Sequence, residues 1–342
     1  MRIEGLLVGW TSALGSAWAY LRDLRALRPE WSLGLGEETY ASTPVPLWTH
    51  AGPRVVSCDG GVLTVGAIEA GRADQDVRMT RLVVAESVHA FDAVTDGRFL
   101  WIGAVCEGAL RAYRVHVDSS AVAEVEVDDQ ADVTQLAVAA LDGGVALLHG
   151  MVDARLGVLC VDRDMNLARS VRHPLSAPLR HLAAFGARDV ALALLCDPGQ
   201  LDIALLGIDG RLKERPHRAI EGVLDQRPEV VWMDDGFAAF GQTEAGLVWK
   251  RFDRPNTGIV EGARAGAAAH FHGTLVGAQM RSEGIEDRLT LSMQEVSGRG
   301  GQVHTLGLAP GAFRVRQRRE DAAVILGRLV AMFDRTSYRE TA

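Results

Sequence analysis

Residues 141–170 read LDGGVALLHGMVDARLGVLCVDRDMNLARS, and residues 187–216 read ARDVALALLCDPGQLDIALLGIDGRLKERP. The two stretches share one grammar. A polar turn is followed by an apolar run, a second turn, a second apolar run ending in Asp162 or Asp209, and a third turn. The apolar runs are strand-length and much shorter than a helix. They are nearly continuous rather than alternating, as in strands covered on both faces.

Working outward, the first turn of the unit recurs. It stands as Asp59-Gly60, Asp96-Gly97, Asp142-Gly143, Arg188-Asp189, Asp235-Gly236 and His272-Gly273, separated by 37, 46, 46, 47 and 37 residues. Glu4-Gly5 and Glu320-Asp321 extend the series to the two ends. A period in the forties suits four-stranded β units or helical repeats of the HEAT type. Strand chemistry decides for the first. The runs GVLTVGA, RFLWIGAV, GVALLHG, VALALL and GFAAFG follow the turns, and second runs end in Asp118, Asp162, Asp209 and Asp253. Asp at such a position bonds backbone N–H groups two residues on and fixes the turn. A wetter outer run comes next (AVAEVEVDD, NLARSVRH), and a last run such as VHAFDAVTD or TQLAVAALD leads into each new turn. Four strands per unit, graded from apolar to polar, are what radially stacked sheets require.

By this repeat the chain resembles the β-propeller proteins over nearly its whole length. The resemblance is one of architecture. No Trp-Asp dipeptide closes the strands, and no kelch, YWTD or S-x-D-x-G-x-T-W signature is present. It implies an all-β fold, a single domain over residues 1–342, and four-stranded blades in a ring closed by the N- and C-terminal strands. Seven blades is the leading count and eight the alternative. The closing blade would be a composite of about 1–35 and 312–342, with 312–320 supplying the strand that the N-terminal unit lacks. The run AAVILGRLVAMFD (322–334) is then left over, and 36–52, rich in proline, reads as an irregular connector.

Bulk properties exclude several classes. A net charge of −8 and an isoelectric point near 5.7 argue against nucleic acid as a partner, which would call for a broad basic surface. Of 36 basic residues, only Lys213 and Lys250 are lysine. With abundant Ala, Gly and Val, that is the usage of a GC-rich bacterial genome. The cysteines Cys58, Cys106, Cys160 and Cys196 sit in or at the end of apolar runs with no C-x-x-C pair, which speaks for reduced thiols and a cytoplasmic location. The opening run GLLVGWTSALGSAWA mimics a leader peptide, but Glu4 cancels the basic start and small polar residues dilute it. No run approaches the ~18–20 apolar residues of a membrane-spanning helix, so no membrane partner is expected.

Motif chemistry is sparse. No G-x-S-x-G, Walker A or G-x-G-x-x-G motif occurs, and no catalytic residue is assigned. The resemblance places ligand sites at the mouth of a central channel. His89, Gln135 and His181 lie about seven residues before the turn in three consecutive units, and His270 and His272 lie on a fourth. Imidazoles from several strands can hold a transition metal or a small ligand. Arg314, Arg316 and Arg318 alternate, so in a strand they share one face and suit an anion; the duller reading is a charged strand edge. The Glu286-Asp287 pair reads as a solvated turn, and Trp31 and Trp48 flank the connector as candidate contact residues. The leading expectation is a non-catalytic binding or scaffold module that presents loops to a protein partner in a bacterial cytoplasm, without a cofactor. The alternative is an enzyme or a metal- or ligand-binding propeller using His89, His181 and His270 or His272.

Overall fold

The runs that read as strands are strands in the computed structural model, and no helix occurs among the described residues. Described are residues 5–12, 15–23, 28–36, 45–70, 77–128, 132–197, 199–233, 236–254, 257–261, 267–271, 274–283, 286–295, 301–307 and 325–332, with side chains mainly from 45 to 259.

The strands fall into antiparallel groups of four. The first comprises β1 (Gly5–Ser12), β2 (Gly15–Asp23) and β3 (Arg28–Gly36). The second runs β4 (Val45–Thr49), β5 (Gly52–Asp59), β6 (Val62–Ala70), β7 (Val77–Ala85). The third runs β8 (Val88–Thr95), β9 (Phe99–Cys106), β10 (Ala109–His116), β11 (Val122–Asp128). The fourth runs β12 (Val133–Leu141), β13 (Gly144–Met151), β14 (Arg155–Asp162), β15 (Leu167–Pro174). Then come β16 (His181–Gly186), β17 (Val190–Leu195), β18 (Gly199–Leu206) and β19 (His217–Val223), and after them β20 (Glu229–Met233), β21 (Gly236–Thr243), β22 (Gly246–Arg251) and β23 (Thr257–Glu261). A single pair, Val223 with Thr243, joins these two groups edge to edge. The last consecutive group is β24 (Ala267–Phe271), β25 (Thr274–Glu283), β26 (Glu286–Glu295) and β27 (Gly301–Gly307). One strand is left, β28 (Ile325–Met332), and it pairs with β1, giving the order β28-β1-β2-β3.

The polarity gradient read from the sequence is present. Every residue of β13, β17 and β21, the second strands of their groups, is buried, whereas β15, an outermost strand, has none buried. Strand alternation sends neighbouring residues to opposite faces. Leu147 therefore joins Trp101, Leu110 and Val138 in the core towards the third group, and Leu148 joins Leu182, Leu192 and Leu194 in the core towards the fifth. A sheet buried on both faces needs this continuous Leu/Val/Ala content. The first strands stand side by side in succession: β4 by β8, β8 by β12, β12 by β16, β16 by β20, β20 by β24, β24 by β28, and β28 by β4.

Two expectations need correcting. The connector 36–52 holds β4, whose register runs from Val45 opposite Val56 to Thr49 opposite Gly52. Pro44 and Pro46 disguised it; proline is tolerated because the strand is an inner edge, where one row of N–H groups has no ladder partner. The turn between the first two strands of that group is thus His50-Ala51, and Asp59-Gly60 is the next turn along. Corrected, His50, Asp96, Asp142 and Arg188 stand 46 residues apart. Likewise, the strand that pairs with β1 is Ile325–Met332, from the run left over in the sequence reading. Residues 312–320 lie outside the described residues.

Turn chemistry follows the expectation at several aspartates. Asp96 Oδ1 accepts from the Arg98 and Phe99 N–H groups at 2.9 and 2.8 Å, and Asp162 Oδ1 accepts from those of Asp164 and Asn166, both at 2.9 Å. The N–H of Arg211 donates to Asp209 Oδ1 at 3.1 Å.

Candidate functional site

Ionisable side chains gather where the first strands begin. The chain leaves β19 at buried Val223 and crosses back to the inner edge through Leu224–Pro228. The Leu224 N–H donates to Gln242 O and that of Gln226 to Leu224 O, both at 2.7 Å, and Pro228 then leads into the extended β20. On this loop the Asp225 carboxylate receives Arg180 as a two-pronged partner, through Nε at 2.9 Å and through Nη2. His181 Nε2 is 3.3 Å from the same carboxylate. Arg180 holds the Asp225 carboxyl below its usual range. Burial pushes the His181 imidazole down, and the nearby Asp225 only partly offsets this, so the ring is neutral near pH 7.

Two residues further, Arg227 reaches past two groups. Its Nη2 lies 3.5 Å from Asp92 Oδ2 on β8, although β12 and β16 stand between β8 and β20 in the succession of first strands. Asp92 is 1% exposed. Its Oδ1 accepts from the Ala93 N–H and its Oδ2 from the Val138 N–H, each at 2.8 Å. Val138 belongs to β12, whose inner edge offers N–H groups with no strand to take them. One carboxylate therefore ties together β8, β12 and the loop before β20. The sequence carried a signal for it. Four residues before the first turn stand Pro46, Asp92, Val138, Ala184, Val231 and Ala268, so Asp92 alone is charged at that register.

The residues singled out in the sequence fare unequally. His181 lies in the cluster just described. His89, the second residue of β8, is exposed, and Gln135 on β12 is half-buried. His270 is the fourth of five residues of β24, at the strand end opposite to that of His89 and His181 in theirs. Its side chain, together with His272, Arg314, Arg316 and Arg318, lies outside the described residues. Among the described residues no group of three or more His, Cys, Asp or Glu is arranged to hold a metal ion. The thiols of Cys58, Cys106, Cys160 and Cys196 are buried and unbridged, and burial pushes each of them up, Cys196 to about 11. Glu286 and Asp287 lie at the tip of the β25–β26 hairpin.

The opposite ends of β16 and β20 carry the aromatic residues Phe185 and Trp232. Phe237 at the start of β21 gathers Trp232, Phe252 and Phe185 edge-on, with ring centroids 4.8, 6.0 and 6.2 Å away. Such tilted pairs contribute beyond their buried area. Phe185 is the next-to-last residue of β16 and is 38% exposed. Ile208 is 65% exposed in the turn after β18, and Lys213 from the same connection binds Asp189 at 2.7 Å in the turn that follows Phe185. Reading the sequence did not single out Phe185, Ile208, Phe237 or Phe252, because the exposure of an apolar side chain leaves no mark in the sequence.

No protein-family model matches the chain, and a search of curated proteins finds no match. Among solved structures it is similar to the dihydro-heme d1 dehydrogenase NirN in complex with DHE, at 12% identity and a TM-score of 0.50, over 90% of this chain and 64% of that one. With the graded four-stranded sheets and the neighbouring first strands, this decides the architecture. The fold is a β-propeller. Two further propeller-type structures match less well. The WD40 domain of SCAP from fission yeast is 9% identical, over 90% of this chain and 88% of that one, with a TM-score of 0.49. Apo AztD from Citrobacter koseri is 10% identical, over 94% and 98%, with a TM-score of 0.47. The chain spans less than two thirds of the NirN chain, and at these identities the likeness is one of fold alone.

Proposed function

We propose that residues 1–342 form one seven-bladed propeller, closed by β28 against β1, that serves as a non-catalytic binding module for a protein partner. The succession of first strands from β4 round to β28 and back to β4 supports the count and the closure. The observations that carry the binding role are two accessible apolar side chains of the fifth group: Phe185, whose ring meets the Trp232, Phe237 and Phe252 cluster, and Ile208 in the turn after β18. Aromatic and aliphatic side chains left accessible beside a rigid cluster are the usual anchors of a protein interface. At the other end of the channel, Arg180 and Arg227 are matched by Asp225 and Asp92, and His181 is neutral beside Asp225. That self-neutralised set supports a role in holding the blades together rather than in reaction chemistry. Four reduced thiols and arginine-rich usage support a reducing bacterial cytoplasm as the setting.

The test is native mass spectrometry of the protein isolated from its own host, as the natural sequence and as Ile208→Asp, Phe185→Ser and Val83→Asp variants. Val83 is an exposed residue of the outermost strand β7, distant in the fold from the patch. The expected result is a second polypeptide of fixed stoichiometry that is lost in the first two variants and kept in the third. A partner retained in all variants contradicts the assigned surface; a small-molecule or metal mass in place of a polypeptide contradicts the binding role.

A further inference from the structure

The corrected first turn of the second group exposes an arrangement that the channel does not use. His50 sits at the tip between β4 and β5, and its backbone N–H donates to Gly97 O, in the β8–β9 turn, at 3.1 Å. Its ring spans two turns of the neighbouring blade. Nδ1 is 2.7 Å from the same Gly97 carbonyl, and Nε2 is 2.9 and 3.1 Å from the two carboxylate oxygens of Asp118, in the β10–β11 turn. A carbonyl and a carboxylate only accept hydrogen bonds, so both ring nitrogens must donate. A neutral imidazole has one N–H. Only the imidazolium satisfies both contacts.

We infer that His50 is an imidazolium clasp between the second and third blades that opens as pH rises. The charged groups around it divide clearly. Asp118 favours the cation directly, while Arg54 on β5 opposes it and is itself turned to Ala51 O at 3.2 Å. On the β8–β9 turn, Asp96 is occupied with the Arg98 and Phe99 N–H groups and with Trp101 Nε1 at 3.2 Å, and exposed Arg98 stands over the Phe99 ring. His116, at the end of β10, accepts the N–H groups of Asp118 and Ser119 at its Nδ1, both at 3.3 Å, which orients the Asp118 turn. The Gly97 carbonyl first and Asp118 second raise the His50 imidazole above its ordinary 6.5. A raised folded value means the clasp contributes fully below about pH 6.5 and is lost as pH climbs through the folded value. The ring is about half exposed, so the contribution is a local tether rather than a core interaction.

The test is a proton–carbon NMR titration of the His50 ring in the full chain, alone and with Asp118→Asn. The expected midpoint lies above 6.5 in the natural sequence and falls towards 6.5 in Asp118→Asn. A second reading is the exchange protection of the His50 amide, corrected for the intrinsic pH dependence, which is expected to drop as the ring titrates. A midpoint at or below 6.5, or one unmoved by Asp118→Asn, overturns the inference; so does a protection factor that does not change across the titration. Asp118 is an exposed turn residue, so Asp118→Asn keeps the buried core intact and failure to fold does not obscure the result.

Discussion

The carboxylate of Asp92 on β8 takes the backbone N–H of Val138 on β12 at 2.8 Å, inside the protein and between neighbouring blades. An inner strand of a propeller has one row of backbone groups without a ladder partner, and here a buried side chain supplies one. Removing it leaves a buried donor and the Arg227 guanidinium 3.5 Å away without that acceptor. Asp92→Ala is expected to destabilise the protein by roughly 3 kcal/mol, and Asp92→Asn, which retains one carbonyl acceptor, by about half of that. Urea unfolding of the two variants checks this. Arg227→Met leaves the Asp92 carboxylate with its two backbone N–H donors and is expected to lose about half as much as Asp92→Ala. A loss on Asp92→Ala no larger than on Arg227→Met would show that Val138 finds another acceptor.

His149 on β13 gives a pH dependence opposite in sign to that of His50. It is 1% exposed, and burial pushes its imidazole down from 6.5. The unfolded chain therefore takes up the proton first, and stability is present above about pH 6.5 and declines as pH falls through that value. His181, also pushed down by burial, adds to the decline. Thermal unfolding between about pH 7 and pH 5 is expected to show a falling melting temperature, with a shallower slope in His149→Leu. An unchanged slope would place the acid sensitivity elsewhere.

Two glycines are required by close approach rather than by backbone conformation. A Cβ on Gly157 would collide with the His149 ring across the β13–β14 ladder. One on Gly186 would collide with the Ala140 carbonyl, where β16 meets β12. A ring can turn aside and a backbone carbonyl in a strand cannot. Gly186→Ala is expected to cost roughly 3 kcal/mol and Gly157→Ala roughly 1–2 kcal/mol, as overpacking does. Calorimetric melting of both variants measures the order, and the reverse order would mean that the His149 pocket is the more rigid of the two.

The blade grammar was legible because strand length, turn residues and two-sided burial all leave marks in composition. Asp142-Gly143 and Arg188-Asp189 stand where the turns are, and VALALL is buried from end to end. Legibility failed where a local rule was broken for a positional reason. Two prolines hid β4, since proline is a poor strand residue except at an edge, and edge position is a property of the assembled fold. The run AVILGRLVAMFD was unplaceable because its partner, β1, lies at the other end of the chain. Asp92 looked like one more polar residue in VHAFDAVTD, although the other five units compared at that register carry no charge there. His181 was found, but its neighbour Asp225 was not, because the contact crosses between blades and leaves no sequence spacing.

The closure of the chain ends is the step on which the ring depends, and a register-specific disulfide trap measures it most directly. Leu7 pairs with Val330, and Ile325 pairs instead with Thr11 at the other end of β1. A disulfide needs Cα atoms within roughly 7 Å. Under mild oxidation the Leu7→Cys, Val330→Cys protein is expected to form an intramolecular bridge without loss of structure, and the Leu7→Cys, Ile325→Cys protein is expected not to. Bridging in neither protein, or equally in both, would contradict the pairing of β28 with β1 and with it the closed propeller.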